Sequence, residues 1–110
     1  MMDIEKLKDE IIERLKPLNP ERVILFGSYA YGTPTQESDI DLYVVTRDEF
    51  IPQTWKEKSN ITKTVSKAIR DLRSSVAIDL IVHTKAMSQK FQELESSFSK
   101  ELLSKGKVLL

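Results

Sequence analysis

The chain has no cysteine, which excludes disulfides and thiolate metal sites and fits a reducing compartment. No apolar run approaches the roughly 20 residues a membrane-spanning helix needs, and no apolar signal segment follows Met1. A cytoplasmic location is the expectation. Net charge is also missing: 17 basic residues balance 17 acidic ones, which argues against a general nucleic-acid coat and leaves room only for a local basic patch. Repeats, low-complexity tracts and interdomain linkers are absent too. What remains is 110 residues, 40% apolar and 31% charged, the balance of a soluble globular chain with one core. A single domain over 1–110 is expected.

Periodicity divides the chain into short elements. Asp3 can cap a first helix, whose Ile4, Leu7, Ile11 and Leu15 recur at helical spacing; Pro17, Asn19 and Pro20 end it. Arg22 to Phe26 reads as a continuously apolar strand covered on both faces. Gly27 and Ser28 open a tight turn, YAYG forms one helical turn, and Thr33 to Ser38 is a polar loop. Asp39 to Val45 is a second strand, with Ile40, Leu42 and Val44 on one face and Asp39, Asp41 and Tyr43 on the other. A helical stripe follows at Ile61, Val65, Ala68, Ile69 and Leu72, then a third strand over Val76 to Val82 that carries Asp79. Thr84 or Ser88 can cap a last helix with Phe91, Leu94, Phe98 and Leu102 on its core side. Gly106 stops that helix, and KVLL is a short terminal strand. The fold class is α/β (α+β), a small mixed sheet packed by helices.

The aspartates demand an explanation, because strands disfavour Asp and buried carboxylates are costly without a partner. Asp39 and Asp41 lie about 6 to 7 Å apart on one strand face. Left alone they repel, and one is driven to take up a proton. A divalent cation removes the conflict, and hard carboxylate oxygens are what Mg²⁺ binds, together with substrate phosphates. Asp79 joins the cluster if its strand lies beside the second. Three carboxylates suit two-metal phosphoryl or nucleotidyl transfer. Gly27 lets backbone approach a phosphate closely, and Ser28 with the following amides can donate to phosphate oxygens.

Phe26-Gly27-Ser28, ten intervening residues, Asp39-Ile40-Asp41-Leu42 and the later Asp79 resemble the nucleotidyltransferase superfamily related to DNA polymerase beta. More narrowly, GSYAYGTPTQESDIDLYVV resembles the minimal nucleotidyltransferases of bacteria and archaea, and the likeness runs to the tail KELLSKGKVLL. The resemblance implies nucleotide binding by Gly27 and Ser28. It implies catalysis and metal binding by Asp39, Asp41 and Asp79, with two Mg²⁺ ions and ATP as substrate. The implied reaction moves a nucleoside monophosphate, AMP for preference, to a hydroxyl. The implied partner is a HEPN-domain toxin, with this chain as its antitoxin and a toxin tyrosine as acceptor. Tyr29 and Tyr31 depart from the pattern, since relatives often carry a basic residue there. Arg47, Lys63 and Arg70 are the candidates to supply that charge from elsewhere.

Two other functions compete: a binding module that neutralises the toxin by occlusion, and an aminoglycoside-type transferase acting on a small molecule. So small a sheet invites cover from a second copy or a partner, hence a homo- or hetero-oligomer. His83 shares strand parity with Asp79 but lies about 13 Å along, so a strand-end histidine with local hydrogen bonds is the better reading. Trp55 either packs on the core or anchors a partner. The Phe91, Leu94, Phe98 stripe is read as core.

Overall fold

The computed structural model describes residues 3–32 and 39–110. Helix α1 (Ile4–Leu15) starts where the Asp3 carboxylate accepts a hydrogen bond from the Lys6 amide at 3.2 Å, satisfying a first-turn N–H. It gives way to a 3-10 turn over Lys16–Leu18, and Asn19 then takes the left-handed conformation (φ 50°) that short polar side chains tolerate. Strands β1 (Arg22–Phe26), β2 (Ile40–Val45), β3 (Ile78–His83) and β4 (Lys107–Val108) form one mixed sheet ordered β3-β2-β1-β4. β1 is antiparallel to β2 and β4, whereas β2 and β3 are parallel. A parallel pair needs a crossover, here α3 (Trp55–Ala68) and α4 (Arg70–Arg73). The segment from Thr33 to Ser38, read as a polar loop, lies outside the described residues.

Alternation along the strands sorts the core into two layers. Val23, Leu25, Ile40, Leu42, Val44, Ile78 and Val82 pack with Leu7, Ile11 and Leu15 of α1 and with Val65, Ile69 and Leu72 of the crossover. Ile24, Phe26, Tyr43 and Val45 pack on the opposite face under α5 (Lys85–Glu93) and α6 (Ser97–Lys105), against Leu102 and Phe91. Cover on both faces is why β1 reads as an unbroken apolar run. Arg14 of α1 makes a bidentate pair with Asp71 of α4, with Nε and Nη2 2.9 and 2.8 Å from Oδ2. That pair ties together the two ends of the layer under α1.

Two helical readings need correction. The stripe through Ile69 breaks there into α3 and α4, although Val65, Ile69 and Leu72 all still reach the core. The single last helix is two helices. Glu95 turns the chain at φ 47°, and Ser96 caps α6 by accepting from the Ser99 amide at 3.1 Å. Serine competes for backbone donors and so favours a cap over a helix interior. The break throws Leu94 into solvent at 76% exposure and leaves Phe98 41% exposed, so only Phe91 and Leu102 of that stripe fill the core as expected. Of the two proposed caps, Thr84 takes the role: its Oγ1 accepts from the Met87 amide at 3.1 Å and donates to the Phe50 carbonyl at 2.7 Å. No helix among the described residues is long and apolar enough to cross a membrane.

Candidate active site

Gly27 leaves β1 with φ +77° and ψ −164°, a conformation that penalises any side chain. A Cβ there would land on Asp41 Oδ2 and lie 2.9 Å from Asp41 Cγ. Backbone strain and crowding therefore both demand glycine. Its carbonyl accepts from the Ala30 and Tyr31 amides at 3.0 and 3.1 Å, which closes the one-turn helix α2 (Ser28–Tyr31). Ser28 is the first residue of that turn, where backbone N–H groups have no partner inside the helix.

Strand pairing delivers the acids to the same place. Asp41 stands opposite Phe26 on one side and Asp79 on the other, in register. Paired residues of one sheet point to the same face, so the two carboxylates meet beside the Gly27 turn. Asp41 is half-buried, and its carboxyl is held above the ordinary carboxylate range. Burial is the main cause, followed by the negative charges of Asp79 and Asp39 and a hydrogen bond shared with Asp79. Asp39 and Asp79 are exposed. Gly27, Asp41 and Asp79 are thus brought into contact, with Ser28 next in the chain. Asp39, just ahead of β2, acts on Asp41 through its charge.

Among the described residues no three acid or imidazole side chains are already gathered into a metal cage. The donor set nonetheless fits a hard cation. It consists of carboxylate oxygens alone, no salt bridge among the described residues offsets their mutual repulsion, and Mg²⁺ commonly takes only one or two protein carboxylates and completes its shell with water and phosphate.

Other residues singled out in the sequence fall elsewhere. His83 sits on the acid-bearing face, but its Nδ1 is 2.7 Å from the Tyr43 hydroxyl, and burial holds its pKa below the ordinary value. Its partner is distant in sequence, not local. Arg47 lies past the far end of β2, where it donates to the Asn19 carbonyl and to Glu21 at 2.9 and 3.0 Å. It lines a cleft of about 350 Å³ with Leu15, Val44, Phe50 and Val65, on the other face of the sheet. Lys63 and Arg70 are exposed on helices that pack on that same remote face. None of these three sits beside Gly27. Trp55 is 82% exposed, so core packing is not its role.

Sequence reasoning missed Lys105 at the end of α6. Its Nζ lies 5.9 Å from the centre of the Tyr31 ring. The Tyr31 phenol is pushed up chiefly by burial, opposed by a hydrogen bond with the Gly27 backbone, with Glu101 and Asp41 adding their negative fields. The glycine that stops α6 was legible, but the strand that α6 ends against was not.

Comparison with known proteins bears on the family. Residues 6–110 match the family model described as "Polymerase beta, Nucleotidyltransferase". Two proteins of Methanocaldococcus jannaschii, each named "Putative protein adenylyltransferase", are similar along nearly their whole length. One is 33% identical over 99 residues, 90% of this chain and 94% of the relative. The other is 32% identical over 111 residues, 98% and 99% of the two chains. Among solved structures, a toxin–antitoxin crystallised with AMP-PNP matches at a TM-score of 0.56 with 21% identity, over 94% of this chain and 72% of that one. A tri-AMPylated Shewanella oneidensis HEPN toxin in complex with MNT antitoxin matches at 0.50 with 18% identity, over 96% and 71%. At those identities the structural likeness is one of fold. The family match, covering nearly the whole chain, settles the class: this chain belongs to the polymerase beta nucleotidyltransferase family and is a nucleotidyltransferase.

Proposed function

We propose that this chain is a magnesium-dependent protein adenylyltransferase that moves AMP from ATP to a hydroxyl of a partner protein. The observation that carries this reading is the packing of the Asp41 carboxylate against Gly27, in register with Asp79. That packing makes the turn and the acid pair one site. Gly27 and Ser28 hold the triphosphate. Asp39 and Asp41 would hold two Mg²⁺ ions, with Asp79 as a further ligand of the one that activates the acceptor hydroxyl. Bound Mg²⁺ supplies Lewis acidity, lowering the acceptor hydroxyl's pKa and neutralising the departing pyrophosphate. The acceptor oxygen bonds to the α-phosphorus as the bond to pyrophosphate breaks, and the hydroxyl proton passes to solvent water at the open side of the site. Exposed Asp79 leaves the acceptor side open to a large substrate.

The names of the Methanocaldococcus relatives support a protein acceptor. A neighbour that pairs an AMPylated HEPN toxin with an MNT antitoxin supports a HEPN toxin as that acceptor and an antitoxin role for this chain. Such a reaction belongs in the cytoplasm, where ATP is held. Incubating the chain with labelled ATP, Mg²⁺ and the product of the neighbouring gene should label that protein. Asp41→Asn should abolish the label, and chelation should do the same. An unlabelled partner overturns the reading. Protection of cells by Asp39→Asn/Asp41→Asn would instead favour neutralisation by occlusion.

A further inference from the structure

A triphosphate brings several negative charges to a site that already holds acids, yet the turn from Gly27 to Gly32 contains no basic residue. Resting on the nucleotide-transfer reading above, we propose that Lys105 is the cation that holds the triphosphate, seated on the ring of Tyr31.

Three features place it there. First, β4 pairs with β1 through Leu25↔Lys107 and Ile24↔Val108. Two residues back along that antiparallel register, Lys105 ends its helix at the level of Gly27. Second, the approach is enforced by Gly106. A Cβ at that position would collide with the Leu102 carbonyl oxygen, crowd Ile24 Cγ2, and lie 3.4 Å from the Leu25 carbonyl oxygen. Leu102, fully buried, anchors α6 on the same strand. Third, the Lys105 ammonium lies 5.9 Å from the Tyr31 ring centre, within the range of cation–π attraction. That ring belongs to the phosphate turn, so Tyr31 becomes a rest for a lysine delivered from another element. A compact ammonium on a flexible stem can reach phosphate oxygens from such a rest.

The plainer explanation is that Lys105 is a helix-end charge, placed against the α6 dipole and one turn after Glu101. Such a residue affects stability and leaves nucleotide selectivity alone. Among the described residues Lys105 makes no salt bridge to Glu101 or any other acid.

Calorimetric titration of ATP and of AMP into the chain with Mg²⁺, without acceptor, separates the two. Lys105→Ala should weaken ATP about tenfold, the scale of one charge-assisted contact, and leave AMP within about twofold. Lys105→Arg should recover most of the loss. Tyr31→Leu should weaken ATP by a few-fold, and Tyr31→Phe, which keeps the ring, by less. Because the readout is a ratio between two ligands on one variant, partial unfolding does not imitate it. Unchanged ATP affinity in Lys105→Ala, with the parent chain binding ATP, overturns the lysine's role alone. Equal losses for ATP and AMP do so as well. A parent chain that binds no ATP overturns the nucleotide reading, and this inference with it.

Discussion

The two ends of one sheet face handle polar groups in opposite ways. At the far end, the Tyr43 hydroxyl lies 2.7 Å from His83 Nδ1 and 3.2 Å from Ser88 Oγ, beneath Phe91, whose ring centre is 5.6 Å from that of Tyr43. Among the described residues no fully buried side-chain nitrogen or oxygen lacks a hydrogen-bond partner, and the cluster does structural work. At the near end, Asp41 meets another carboxylate and is pushed toward its neutral form. Both ends put polar side chains on a covered sheet, but only one leaves a charge conflict that a ligand would relieve. Conflict, rather than polarity, marks the candidate site.

That contrast can be broken most forcefully at Gly27. Gly27→Ala meets both an unfavourable φ and the Asp41 carboxylate. Transfer activity should fall more than about 100-fold, with a stability loss of roughly 2 kcal/mol in chemical denaturation. Near-normal labelling of the partner by this variant would show that the turn and the acid do not work as one site. Tyr43→Phe should behave in the opposite manner, losing roughly 1.5 kcal/mol of stability because it strands His83 and Ser88, while labelling proceeds at the parent rate. A large loss of labelling would place the His83 cluster in the chemistry.

Smaller effects come from titration. Asp41 has a raised folded-state pKa, so its contribution to stability is present below the usual carboxylate value of 3.8 and lost as pH rises through the folded value. Without metal, Asp41→Asn should therefore melt slightly above the parent at pH 7, by less than about 1 kcal/mol after solvent screening, and equal it near pH 3. Adding Mg²⁺ should stabilise the parent and not the variant. His83 has a lowered pKa, so its contribution is present above the ordinary 6.5 and lost as pH falls through the folded value. Melting curves of the parent and His83→Gln should converge across that acid window. Parallel curves would mean that folding does not lower the His83 pKa.

Much of the fold was readable because it rests on local rules. Asp3, Thr84 and Gly106 act at the helix ends where their chemistry places them, and strand parity assigned each side chain of β2 and β3 to its face. The failures share a cause. The stripe from Phe91 to Leu102 has helical spacing throughout, but Ser96 offered the backbone an alternative and the chain took it. Arg47, Lys63 and Arg70 looked equivalent to any other cation, since charge in a sequence carries no direction. Lys105 went unnoticed because its place beside Tyr31 depends on pairing with a strand some eighty residues earlier.

The order of residues alone dictates which chemistry is available: a glycine free to take positive φ, a serine after it, and aspartates where strands seldom carry them. Side-chain alternation is a local property of the backbone, so the faces followed as well. It takes the folded chain to set Asp41 and Asp79 in register, to fill the space Gly27 leaves with the Asp41 carboxylate, and to bring the end of α6 to the same turn. Those meetings depend on strand order and register, which are set by how the whole core packs and not by any short stretch of chain.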